Sequence, residues 1–187
     1  RRWLAVSVAF ALLAALGSLA VERNVFPLGS PNRDESTYAA AAEMARHGRF
    51  TLPAATHDAF RPWASGRHGD RIVLKYLPPW PVVLAVFGAA GSRDLAAPAM
   101  AALLVLLVHA LTRELVGGDG PEPAVAAASL ALSPILAFQG GTLLPYLFQL
   151  VLEAGAGLLL LRSRRRAGTG ELALAGLLFG VAFFARQ

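Results

Sequence analysis

The run WLAVSVAFALLAALGSLAV, Trp3 to Val21, carries no charge and no helix-breaking proline. At about 1.5 Å per residue, a helix of this length covers most of a hydrocarbon core of about 30 Å. Arg1 and Arg2 precede it and place the N-terminus on the cytoplasmic side. A cleaved signal peptide is the rival reading. The run is longer than an ordinary signal core and further apolar segments follow, which favours a retained span.

The rest of the chain agrees with membrane. Its 187 residues are 56% hydrophobic and only 16% charged, with a mean hydropathy of +0.53, too apolar for an ordinary soluble domain. A net charge of +5 in a soluble protein would point to nucleic acid. Here the basic residues sit in loops and at span ends, which suits orientation in a bilayer, so membrane lipid is the expected partner and nucleic acid is not. Cysteine is absent, so no disulfide framework and no thiolate metal site can form. The abundance of Ala, Arg and Gly points to a GC-rich bacterial genome, and hence to a multi-pass protein of the bacterial plasma (inner) membrane. The chain lacks an initiator Met and stops at FFARQ directly after an apolar segment, so it is expected to be the N-terminal part of a longer protein.

Spans are expected near residues 3–21, 78–91, 95–116, 124–139, 143–161 and 171–184, with a polar loop over 22–76. Pro78 and Pro79 open the second span, where missing amide hydrogens matter least, and that span is short. GGDGPEP is a turn. SPILAFQGGTLLP interrupts the region 124–161 with two prolines and a Gly pair, so a broken helix or two helices are expected there. If every segment crosses, the Arg162 to Arg166 cluster lands outside, against the positive-inside tendency. Either the short second span or the region around Gly140 and Gly141 is therefore expected not to cross.

A connection as long as 22–76 is usually functional. Within it, SPNRDESTYAAAAEMARHGRF (Ser30–Phe50) contains a helix over Asp34 to His47, alanine-rich, opened by Asp, Ser and Thr and closed by Gly48. Tyr38, Ala41, Ala42 and Ala45 give it a narrow apolar stripe, suited to the membrane surface. Taken alone, Asp34 and Glu35 read as carboxylates meeting the free amides and positive end of that helix. Their surroundings add a second reading: Arg33 flanks them, and the loop ends in GDRIVLKYLPPW, which returns Lys75 to the membrane edge. Carboxylates and cations then converge at one interface. Sugar transfer from a lipid phosphate needs that set, because an attacking hydroxyl needs a carboxylate base and a departing phosphate needs cations.

RDESTYAAAAEMARHG and GDRIVLKYLPPWPVVLA together resemble the first external loop of the GT-C superfamily of membrane glycosyltransferases, in the family 39-like branch of protein O-mannosyltransferases and lipid A aminoarabinose transferases. LALSPILAFQGGTLLPYLFQLVLEAGAGLLLLRSRRR and LAGLLFGVAFFARQ resemble later helices of that branch. The resemblance implies an all-α, polytopic transmembrane helix bundle of GT-C type whose long external first loop carries short juxtamembrane helices. It further implies a glycosyltransferase that moves a sugar from a polyprenyl-phosphate donor to a glycan, lipid or protein hydroxyl at the outer face of the membrane. Asp34 matches the base and Glu35 its partner acid; Lys75 and Tyr76, with Arg33, match the donor-phosphate side. Tyr76 and Leu77 separate Lys75 from the prolines, unlike some members, and QGGTLLPYLFQL lacks the usual acidic residue.

Tyr38, Arg61 and Trp63 are candidate substrate contacts; FRPWASGR is better suited to a segment seating the loop at the headgroups. His47, His57 and His68, with Asp58 and Asp70, match no compact zinc spacing, so no metal site is expected of them. The Asp-Glu pair leaves a divalent ion open as a cofactor while falling short of the oxygen count such ions need. His109 reads as a bundle histidine. Gln149 and Glu153 share a helix face, and a carboxylate at that depth needs protein, water or the interface around it. A transporter or flippase with a broken helix remains an alternative, as does a non-catalytic membrane assembly protein.

Overall fold

The computed structural model describes residues 2–54, 63–118, 120–166 and 168–185. Its helices are α1 (Arg2–Val25), α2 (Asp34–Arg46), α3 (Pro79–Ala89), α4 (Ala96–Val116), α5 (Glu122–Ala131), α6 (Pro134–Gly140), α7 (Tyr146–Arg166) and α8 (Thr169–Ala185), with a 3₁₀ turn at Arg93–Leu95. Three helical stretches, Arg2–Val25, Arg93–Val116 and Tyr146–Arg165, are long and apolar enough to cross a membrane, and the bent pair α5–α6 makes a fourth if it counts as one span. The protein is thus a multi-pass membrane protein by the length and composition of its helices.

α1 has the inverted pattern of a helix in lipid. Its buried positions are the small residues Ser7, Ala11, Ala14 and Ser18, which let backbones approach closely, while Leu4, Val8, Leu12, Leu13 and Leu16 point outward. α4 lies antiparallel to it: Ser7 Oγ meets His109 Nδ1 at 2.7 Å near one end, and Arg23 pairs with Asp94 at 3.6 Å near the other. His109 is therefore held within the bundle. α5 and α6 meet at a 60° bend, where Ser133 is extended and Pro134 starts the next helix without an amide hydrogen.

α6 ends against α1 at the Gly pair. A Cβ on Gly140 would collide with the Ser18 hydroxyl, lie 2.7 Å from Ser18 Cβ and 3.3 Å from Ala101 Cβ. Gly140→Ala is expected to destabilise the fold by about 1–3 kcal/mol through overpacking, and Ser18→Gly in the same chain should recover most of that loss. Thermal unfolding of the two single variants and the double variant tests this. Additive losses would show that the two positions do not share the space.

α3 has eleven residues, about 17 Å of helix, well short of a bilayer core. It packs against α2, and the chain continues through Gly91 and the 3₁₀ turn into α4 at the end of the bundle where α1 finished. At the opposite end, Glu114 binds Arg162 at 3.2 Å and Arg165 at 3.5 Å. Because α3 turns back, Arg162, Arg164 and Arg165 gather with Arg113 and Arg2 at one end of the bundle, and the conflict over the basic cluster disappears.

The loop corrects the expectation of an all-helical protein: 73% of the described residues are helical, but the segment after α2 forms a three-stranded antiparallel sheet. β1 (Thr51–Pro53), β2 (Ser65–His68) and β3 (Arg71–Leu74) lie in the order β1-β3-β2. β2 and β3 form a hairpin in which His68 faces Arg71 across Gly69 and Asp70, and Gly69 takes a φ of +61° that such a tight turn requires. Ile72 and Leu74 are buried while Arg71 and Val73 face out, so one face of the sheet packs and the other is wet.

Candidate functional site

The end of the bundle that carries the loop presents α2, and the first residues of α2 point in different directions. Consecutive helical positions differ by about 100°, so Asp34 and Glu35 enter separate compartments. Asn32, just before the helix, takes up a free amide of its first turn, since its Oδ1 accepts the Asp34 amide hydrogen at 3.0 Å. Both carboxylates are left for other contacts.

Asp34 faces a cluster of tyrosines. The Tyr76 hydroxyl donates to the Asp34 carboxylate, the Tyr38 and Tyr76 rings stack with centroids 4.4 Å apart, and Tyr146, at the start of α7, lies close enough to act on both. Two of the chain's three tyrosines, Tyr38 and Tyr76, thus stand by the Asp34 carboxylate, and the third, Tyr146, stands by that pair. Lys75 places its Nζ 5.4 Å from the Tyr76 ring centroid and is otherwise exposed. Beside this cluster, the Arg33 guanidinium lies 5.1 Å from the centre of the Trp63 ring. The buried Thr37 hydroxyl donates to the Trp63 carbonyl at 2.7 Å, which fixes the backbone while the indole stays largely in solvent.

Burial pushes the Tyr76 phenol up to about 12, helped by its bond to Asp34 and by that carboxylate's charge. Burial, then Tyr76 and Asp34, raise Tyr38 as well. A phenol whose pKa is higher folded than unfolded stabilises the fold fully below pH of about 10, the unfolded value, and loses that contribution as pH rises through the folded value. Stability is therefore expected to fall between pH of about 10 and about 12. Tyr76→Phe should flatten that decline. Unfolding temperature followed against pH, with tyrosinate absorbance, checks it; an identical decline in Tyr76→Phe would place the titration elsewhere.

Glu35 does different work. It is buried, its Oε2 accepts the Ser30 amide hydrogen at 2.9 Å and its Oε1 accepts the Leu143 amide hydrogen at 2.9 Å. The Trp80 indole donates to the Leu143 carbonyl at 2.7 Å. One residue in the α6–α7 connection, Leu143, is thus gripped by its amide from α2 and by its carbonyl from α3, which ties the loop to the bundle. With both oxygens engaged by backbone amides, Glu35 fastens the start of α2 to the bundle.

No family model, curated protein or solved structure matches this chain.

Of the residues singled out from sequence, Asp34, Tyr38, Lys75 and Tyr76 come together, and Arg33 with Trp63 forms a neighbouring pair. Arg61, His57 and Asp58 lie outside the described residues. His47 binds Glu43 at 3.1 Å on its own helix, and among the described residues no three His, Cys, Asp or Glu side chains gather as metal ligands. Glu153 accepts from Gln149 at 2.7 Å within α7. Sequence reasoning missed Tyr146, Thr37 and Trp80. Only Tyr146 left a trace, as the last of three tyrosines in a chain poor in them.

Proposed function

We propose that the protein is a membrane glycosyltransferase that moves a sugar from a polyprenyl-phosphate donor to a hydroxyl acceptor on a glycan, lipid or protein. The observation that carries this reading is the Asp34 carboxylate, hydrogen-bonded by Tyr76 and neighboured by Lys75, at the membrane edge of the loop. Its motif likeness to the GT-C branch points the same way. In the proposed step Asp34 takes the proton of the acceptor hydroxyl, whose oxygen bonds to the anomeric carbon as the bond from that carbon to the phosphate oxygen breaks. Polyprenyl phosphate leaves, and Lys75 with Arg33 offsets its charge. Tyr76 orients the base. The basic end of the bundle, read as cytoplasmic by the positive-inside tendency, supports a position for Asp34 at the outer face of a bacterial plasma membrane.

The test uses the full-length protein in membranes supplied with labelled polyprenyl-phosphate sugars. Transfer above that of membranes lacking the protein supports the reading. Its absence across a broad donor panel would favour a transporter, for which the 60° break between α5 and α6 is the specific feature.

A further inference from the structure

The face of α2 turned away from Asp34 borders a second site. A cavity of about 810 Å³ lies between the end of α1, the chain leading into α2 and the 3₁₀ turn, and a smaller one of about 370 Å³ adjoins it through Glu22, Arg93, Asp94 and Leu143. Asp34 lines neither. The wall is made by two short sequences of mixed charge, Glu22–Arg23 and Arg93–Asp94, that the antiparallel packing of α1 and α4 brings together. Arg23 and Asp94 pair at 3.6 Å, whereas Oε2 of Glu22 is buried with no hydrogen-bond partner among the described residues. A buried carboxylate oxygen without a donor is costly, so a cationic N–H donor brought to this wall is favoured.

Depth identifies the source. α1 has 24 residues, about 36 Å of helix against a core of about 30 Å, so its last turn sits among lipid headgroups. Phe26 and the fully exposed Leu28 add an apolar lip to the same cavity. We propose that this cavity binds the headgroup of phosphatidylethanolamine, with its ammonium on Glu22 and its phosphate on Arg93 and Arg23. The ammonium supplies the missing N–H donors. A choline headgroup has none, and a glycerol headgroup has no cation to set against Glu22 and Asp94.

The test mixes full-length protein in detergent with phosphatidylethanolamine, phosphatidylcholine and phosphatidylglycerol of identical acyl chains and counts retained lipid by native mass spectrometry. Wild type should hold phosphatidylethanolamine about tenfold more tightly than phosphatidylcholine, the size of one charge-assisted hydrogen bond. Glu22→Gln should lose that preference, and Arg93→Gln should weaken phosphatidylethanolamine and phosphatidylglycerol alike. Equal retention of the three lipids by wild type overturns the proposal, as does an undiminished preference in Glu22→Gln. Binding of soluble phosphoethanolamine with no preference among the lipids overturns the membrane source. Should Glu22→Gln not fold, Arg93→Gln decides: a folded variant with wild-type affinity for phosphatidylethanolamine sinks the proposal.

Discussion

Asp34→Asn is expected to lower sugar transfer by about a hundredfold to ten-thousandfold, the usual scale of a lost general base, while unfolding at the wild-type temperature. The amide keeps the shape of the carboxylate, and its oxygen still accepts the Tyr76 hydroxyl that bonds to Asp34. What it loses is the ability to take a proton from the acceptor. Rate and thermal stability must be measured on the same preparation, because a loss of both would point to the loop rather than to the chemistry. Equal transfer by wild type and a folded Asp34→Asn would leave this carboxylate with a purely structural part.

Its neighbour should behave in the opposite way. Glu35→Ala strips acceptors from the Ser30 and Leu143 amides at once, and each buried donor left unpaired costs about 1–3 kcal/mol, so a loss of about 2–6 kcal/mol is expected. For a chain of this length that corresponds to a fall in unfolding temperature of about 4–24 °C. Glu35→Gln keeps one acceptor oxygen and should fall between. Thermal unfolding in detergent measures the series; a Glu35→Ala protein as stable as wild type would mean that water replaces the carboxylate at both amides. Two adjacent acids would then separate cleanly, one in turnover and one in stability.

Much of the bundle can be read from the sequence, because apolar runs such as 3–21 and 95–116 and the turn at GGDGPEP are strong signals that depend on local composition alone. The sheet is harder, since its strands have three or four residues, too few for a firm period. The alternation in RIVL and the Gly69–Asp70 turn were its only local marks. In the candidate site, the nearness of Asp34 to the Lys75–Tyr76 pair is foreshadowed by their places at the two ends of one loop. The divergence of Asp34 from Glu35 is not, because adjacency in sequence hides the turn of the helix. Tyr146 comes from 70 positions beyond Tyr76. The grip on Leu143 uses its backbone, so no side-chain identity could announce it.

That grip also sets a clock for biogenesis. Glu35 emerges from the ribosome long before its partner, which lies 108 positions downstream. Until Leu143 has been synthesised and the α6–α7 connection delivered to the same side of the bilayer, the loop holding Asp34 has been released to its compartment without its anchor. The site is thus completed only once Leu143 has been made, and a ribosome stalled before that residue would leave Glu35 without the partner that fastens α2 to the bundle.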